Sequence, residues 1–148
     1  MVEPLKIVIP GRPATKKNSS RIVKLGKFNK ILPSVAFEKY ENASLLYLLK
    51  YKHFIFDMPV SMCCKYWLPD KAHFPDLVGL LQATSDILEK AEILENDRLI
   101  ADYDGSCIAG LDKLNPRAEI EIKIANIKSV DPYVQKKNIE KAQSKLFG

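Results

Sequence analysis

Two aspartates stand in polar turns beside apolar stretches, where a carboxylate can serve either a helix end or a metal ion. Asp76 directly precedes an apolar, helix-like segment that starts at Leu77, which predicts that its side chain caps that helix by accepting a backbone N–H. Asp97 lies in the polar segment 95–98, where aspartate favours turns. Taken alone, Asp76 is better explained by capping, and turn formation is the simplest role for Asp97.

Brought together, these carboxylates would make a hard oxygen site suited to Mg²⁺, an ion that keeps several waters and binds phosphate. Such an ion lowers the pKa of a bound water and neutralises charge on a phosphate under attack. The helix and turn between Asp76 and Asp97 permit the two side chains to meet. The sequence alone does not establish that they do.

Charge is distributed unevenly along the chain, whose net charge is +5. No acidic residue occurs from Pro4 to Phe37, whereas the stretch from Asp86 to Asp104 is strongly acidic. The basic residues of the first stretch are Lys6, Arg12, Lys16, Lys17, Arg21, Lys24, Lys27 and Lys30. A polyanion would be attracted to the basic stretch and repelled by the acidic one unless cations lie there. This pairing suits a metal-dependent nuclease, and a solvated loop beside an acidic helix face explains it equally well.

Within the basic stretch, one short cluster combines cations with hydroxyl and amide donors, which is the mixture that contacts phosphates. It consists of Lys16, Lys17, Asn18, Ser19, Ser20 and Arg21. By itself such a cluster is a weak indication of nucleic-acid binding, because many basic loops are simply solvated.

The length of 148 residues predicts one domain spanning 1–148, and an apolar fraction of 47% argues against disorder. Since no apolar run is long enough to span a membrane and 1–4 lacks a signal-peptide pattern, we expect a cytoplasmic protein. The odd number of cysteines does not suggest disulfides, and Cys63 and Cys64 are predicted to be buried thiols. A zinc site from these two with His73 and Cys107 has no supporting spacing.

Apolar periodicity predicts the elements that would position these residues. Helices are expected from an N-cap at Ser34 to about Lys50, from Leu77 to Ala91, and over 132–148. Strands are expected over 5–9, 54–56, 60–67, 99–103 and 118–125, with a long loop or irregular hairpin over 12–30.

Several short motifs, in this order and spacing, resemble the RusA-type Holliday-junction resolvases, and together they cover most of the chain. They are Gly11-Arg12-Pro13, Lys16-Lys17-Asn18-Ser19 with Arg21, Pro75-Asp76-Leu77, Asp86-Ile87-Leu88, and Asn96-Asp97-Arg98 with Ile100. A phage-associated branch of that family is resembled by Asp104-Gly105-Ser106, Asp112-Lys113, and Asn115-Pro116-Arg117 with Glu119-Ile120. Each motif is short, but their combined order is fairly specific.

The resemblance implies a single-domain α+β fold, with a mixed β-sheet flanked by helices, that acts as a homodimer. It also implies an endodeoxyribonuclease that uses Mg²⁺ or Mn²⁺ to resolve four-way DNA junctions by paired symmetric nicks. Asp76 and Asp97 match catalytic metal ligands, and Asp104 is a candidate additional ligand. The expected DNA-binding residues are Lys16, Lys17, Asn18 and Arg21.

Other positions depart from the family pattern or take supporting roles. Better-known members carry Asp, Asn and Lys where this chain has Val78, Gly79 and Gln82, changes that should weaken Mg²⁺ binding and remove a charge near the phosphate. Asp86 lies too far along the helix, at a rise of about 1.5 Å per residue, to share an ion easily with Asp76. A structural or supporting role beside the site is therefore expected for Asp86, and for Gln82.

Two alternatives follow from these departures and from the generic character of the charge pattern. The first is a catalytically impaired protein of the same fold that still binds branched DNA. The second is a protein-interaction or structural module with no nucleic-acid role, which would show no salt-dependent DNA binding.

Overall fold

The computed structural model describes residues 3–16, 21–32, 34–51 and 55–147. Its strands are β1 (Leu5–Pro10), β2 (Arg21–Leu25), β3 (Phe28–Leu32), β4 (Val60–Leu68), β5 (Ile100–Asp102), β6 (Cys107–Leu111) and β7 (Arg117–Ile124). Its α-helices are α1 (Val35–Leu48), α2 (Leu77–Lys90) and α3 (Pro132–Phe147), and short 3₁₀ turns span Leu49–Tyr51 and Asp97–Leu99.

Five of the strands form one mixed sheet in which β7 lies between β1 and β4 and is antiparallel to both. The opposite edge of β4 is shared by two short parallel strands. β5 pairs with its start at Val60, and β6 pairs with its second half from Lys65 onward. The predicted α+β fold, with a mixed sheet and flanking helices, is therefore confirmed.

One face of this sheet carries the core. Alternate residues of β4, namely Val60, Met62, Cys64 and Tyr66, are completely buried. Inward-facing residues of β1 and β7 join them, and α1 and α2 contribute Tyr40, Leu48, Leu80, Ile87 and Leu88. The intervening residues of β4 and β7 are polar or half-exposed, which is the alternation expected of a sheet with one face packed and the other solvated.

The hydroxyl group of Tyr66 fixes α2 against the centre of this sheet. Its oxygen lies 2.6 Å from Thr84 Oγ1 and 3.1 Å from the Leu80 carbonyl oxygen. Thr84 Oγ1 also lies 2.9 Å from Leu80 O, so the two hydroxyl groups and this carbonyl form one buried hydrogen-bonded cluster. Burial raises the pKa of Tyr66 well above its ordinary value, so the hydroxyl remains a donor.

Most of the predicted elements are confirmed, and their ends agree to within a few residues. Ser34 caps α1 by accepting a hydrogen bond from Phe37 N at 3.1 Å, as expected. The stretch 12–30, predicted as a loop or irregular hairpin, contains the β2–β3 hairpin, whose two-residue turn begins at Gly26 with φ +59°. A positive φ at the first turn position is the conformation for which glycine is preferred.

Three predictions need correction. In place of the strand expected at 54–56, Phe56 makes only an isolated bridge with Leu94. Strand β6 was not predicted, because its Ala-Gly centre and irregular burial lack a clear alternation. Cys64 is buried as expected and its pKa is raised to about 12 by burial, but Cys63 points to the other face of β4 and is only partly buried.

No helix within the described ranges is long and apolar enough to cross a membrane. The cytoplasmic location stays a prediction.

Replacing Tyr66 with Phe is expected to lower the free energy of unfolding by about 1 kcal/mol, because one buried hydrogen bond is lost while Thr84 keeps its bond to Leu80. Urea denaturation followed by circular dichroism measures this change. Tyr47→Phe is the matched control, since the Tyr47 hydroxyl accepts only an exposed bond from Lys50. Equal destabilisation by both substitutions would contradict the anchoring role of Tyr66.

Candidate functional site

Asp76 caps α2, as the sequence predicted. Its backbone is extended, and its Oδ1 accepts a hydrogen bond from Gly79 N at 3.2 Å. The residue is exposed to solvent. Because capping engages one carboxylate oxygen, capping and metal binding by Asp76 are compatible.

Gly79 is required by the close approach of the loop that follows β1. A Cβ atom at this position would lie 2.5 Å from Asp76 Oδ1 and 3.1 Å from Thr15 Cγ2. Thr15 is buried, so it has little room to move away. A side chain at position 79 would therefore be crowded by both the cap and the loop, which gives a physical reason for glycine here.

Lys16 is held against the outer side of α2. Its Nζ lies 2.8 Å from Asp86 Oδ2 and 5.8 Å from the centre of the Phe37 ring. Asp86 thereby fixes the first residue of the basic cluster beside the helix. Lys17 and Asn18 lie outside the described residues, and so does the side chain of Arg21, the first residue of β2.

Two neighbouring grooves run along the exposed ridge of α2. The first, called here the Lys16 groove, is lined by Thr15, Lys16, Gly79, Ala83 and Asp86. The second, the Asp97 groove, is lined by Leu81, Ser85, Asp97 and Tyr103. Val78 and Gln82 line both grooves and form the ridge between the Lys16–Asp86 ion pair on one side and Asp97 on the other.

Asp97 begins a 3₁₀ turn that is tied to two helices. Its backbone N donates to Glu89 Oε1, on the last turn of α2, at 3.1 Å. The next residue, Arg98, binds both carboxylate oxygens of Asp131 at 2.9 and 2.7 Å, just before α3. The Arg98 guanidinium also holds the pKa of Asp131 below its ordinary value. Glu89 and Asp131 were not predicted, because no sequence spacing indicates these long-range contacts.

Tyr103 is a further residue of the Asp97 groove that sequence reasoning missed. Its hydroxyl lies 2.7 Å from Ser85 Oγ, which donates to the Leu81 carbonyl, so Tyr103 is the donor to Ser85. Burial raises the pKa of Tyr103, and the negative charges of Asp97 and Asp86 raise it further. The Asp97 groove therefore holds a protonated phenol close to the carboxylates.

Asp104 lies elsewhere, in an exposed turn between β5 and β6. Its backbone N donates to Asp102 Oδ1 at 3.1 Å, and Ser61 Oγ donates to the same oxygen at 2.5 Å. These two bonds lower the pKa of Asp102. Asp104 does not line the Asp97 groove.

In the part of the chain that the structure describes, no three His, Cys, Asp or Glu side chains are grouped so that they could hold a metal ion. This applies to the three carboxylates expected as ligands, Asp76, Asp97 and Asp104, and to the cysteine and histidine set considered for zinc. The magnesium site stays a prediction.

Replacing Asp76 with Ala is expected to lower the free energy of unfolding by about 1 kcal/mol, because the Gly79 N–H loses its acceptor. Asp76→Asn should cost much less, because the amide oxygen still caps the helix. Thermal and urea denaturation measure both. A large loss of stability in Asp76→Asn would show that the charge, rather than the cap, is what the fold requires.

No protein-family model and no curated protein matches this chain.

Proposed function

We propose that this chain is a Mg²⁺- or Mn²⁺-dependent, structure-specific endodeoxyribonuclease of the RusA type that resolves four-way DNA junctions. As a homodimer it would place paired symmetric nicks in opposing strands. The observation that carries the proposal is the ridge of Val78 and Gln82, which has Asp97 on one side and Lys16 on the other. The same helix is capped by Asp76.

The chemistry of the proposed donors suits a hard divalent cation, although the described residues do not group three of them around one point. Asp76 and Asp97 offer carboxylate oxygens, which Mg²⁺ prefers, and Asp104 is the further ligand proposed. Two protein carboxylates suffice for an ion that keeps waters and takes its remaining ligands from a phosphate. When bound, the cation would neutralise charge on the scissile phosphate and lower the pKa of an attacking water.

The surrounding side chains hold and orient the DNA strand. Lys16 is partly exposed, and an ion pair of this kind contributes about 0–1 kcal/mol, so a phosphate competes readily with Asp86 for its ammonium group. Gln82 is exposed on the ridge and offers an amide donor to a phosphodiester oxygen. The hydroxyl of Tyr103 also lines the Asp97 groove and would donate to a phosphate oxygen in exchange for its bond to Ser85.

Lys17, Asn18 and Arg21 complete the proposed DNA-binding set. Since phosphate neutralisation releases counterions, binding should weaken steeply with salt. The net charge of +5 agrees in sign with a polyanionic partner.

A second candidate is a protein that binds branched DNA and does not cut it. The observation that favours it is Val78, which is 70% exposed where the resembled enzymes carry a carboxylate. Gly79 adds to this, because the packing of Thr15 leaves no room for the family's Asn.

Asp97→Asn is expected to abolish metal-dependent nicking of a synthetic four-way junction while leaving junction affinity within a few-fold of the original. Removing a group that only supports a metal ligand lowers activity by up to roughly 100-fold. Because Asp97 is proposed to bind the metal directly, we expect a larger loss of rate. Gel assays with labelled junction and linear duplex, with and without Mg²⁺, measure cleavage and binding separately.

Glu140→Gln, which removes an exposed carboxylate on α3, is the control for a general charge effect. Tight, salt-sensitive junction binding by the unaltered protein, with no cleavage in either cation, would reject the nuclease in favour of the second candidate. The absence of any salt-sensitive DNA binding would reject both.

Val78→Asp is expected to strengthen Mg²⁺ binding, because it adds a charged oxygen ligand in the groove that Asp97 lines. Titration calorimetry with Mg²⁺ and Mn²⁺ measures the affinity, and the metal dependence of cleavage measures the consequence. Val78→Asn is the matched control for size and polarity without charge. Equal behaviour of the two variants would argue against a cation site on this side of the ridge.

A further inference from the structure

The β2–β3 hairpin forms a two-stranded sheet of its own, separate from the five-stranded sheet. Its tip carries two exposed apolar side chains, Leu25 at 56% and Phe28 at 78% relative exposure. These residues are direct cross-strand partners next to the turn, so their side chains share one face. The hydration of an exposed apolar pair is unfavourable in the free protein. A partner that covers the pair would remove this unfavourable contact with water, so the pair indicates a binding surface.

Two lysines lie close to this apolar pair. Lys24 pairs with Asn29 on the opposite face of the hairpin, and Lys27 lies in the turn itself. Lys24, Lys27 and Asn29 are all exposed, and the sequence contains no acidic residue between Pro4 and Phe37. The tip thus combines an aromatic ring with positive charge, which is the combination that proteins use to stack on bases while binding phosphates.

Both ends of the hairpin are joined by short stretches of chain to residues near α2. Arg21 follows Lys16 by five peptide links, which span at most about 18 Å, and Lys16 lies in the Lys16 groove. Leu32 precedes Ser34 by two links, at most about 7 Å, and Ser34 lines one cavity together with Thr15. A five-residue strand extends about 16 Å, so these lengths allow the tip to reach DNA that is bound at the ridge.

We infer that Phe28, supported by Leu25, inserts at the branch point of the DNA and stacks on a base there, while Lys24 and Lys27 contact the flanking phosphates. This inference rests on the proposed function and names the feature by which the protein distinguishes branched DNA from continuous duplex. At a branch point the stack is already interrupted, so an inserted ring meets a lower unstacking cost than in a linear duplex.

The test compares affinities for a four-way junction and for linear duplex of the same sequence, in the Asp97→Asn background so that cleavage does not interfere. Phe28→Ala is expected to weaken junction binding between about 5-fold and 150-fold, the range for loss of one base–aromatic stack, and to leave duplex binding unchanged. Phe28→Trp should restore the preference. Lys27→Ala should weaken binding to both DNAs alike.

A direct readout is 2-aminopurine placed at the branch point, whose fluorescence should rise on binding and fail to rise with Phe28→Ala. Leu114→Ala, which removes another exposed leucine at 95% relative exposure, is the matched control and should change neither measurement. Circular dichroism of each variant checks that the fold is intact.

Equal affinity of Phe28→Ala and the parent for the junction would overturn this inference and leave the proposed nuclease standing. Loss of self-association by Phe28→Ala, or Phe28-dependent binding to anionic lipid vesicles with unchanged junction binding, would assign the tip to a protein or membrane contact and also overturn it. If the parent binds no DNA, both the inference and the proposed function fail.

Discussion

The hydrogen bonds of Tyr66 with Thr84 and Leu80 tie α2 to the sheet, and the candidate site depends on where that helix lies. The helix is also fixed from the loop side, since Thr15 packs against Gly79 without an intervening side chain. Two different segments, the end of the β1 loop and the turn at Asp97, therefore approach the helix at positions defined by its own register. The grooves beside the ridge follow from this fixed helix rather than from any single loop.

The charged side chains beside the ridge already have partners in the protein. Asp86 neutralises Lys16, and Glu89 holds the turn that presents Asp97. Neither contact is deeply buried, so both could rearrange at small cost if a strand of phosphates bound as proposed. The acidic stretch of the sequence is thus partly structural, since some of its carboxylates position neighbouring elements.

Elements that depend on local interactions could be predicted from the sequence, whereas contacts between residues far apart in the sequence could not. The caps at Ser34 and Asp76 were predictable because a capping side chain bonds its own helix within three residues. Strands β4 and β7 alternate clearly because one face of the sheet is buried. The contacts of Asp97 with Glu89 and of Tyr103 with Ser85 join different elements, so no spacing indicated them. The reason for Gly79 became visible only with Thr15 in place.

The pairing of β1 with β7 has a consequence for how the chain is made. Leu5 pairs with Ile122, so β1 is synthesised well before β7, the strand that pairs with it. At about 5–20 residues per second, the interval between them is roughly 6–23 s. During it the apolar side chains of Ile7 and Ile9 lack their neighbours on β7, and so does the edge of β4 once that strand is made. Strands that wait for a distant partner are prone to aggregate, so chaperones would act on the nascent chain in this interval.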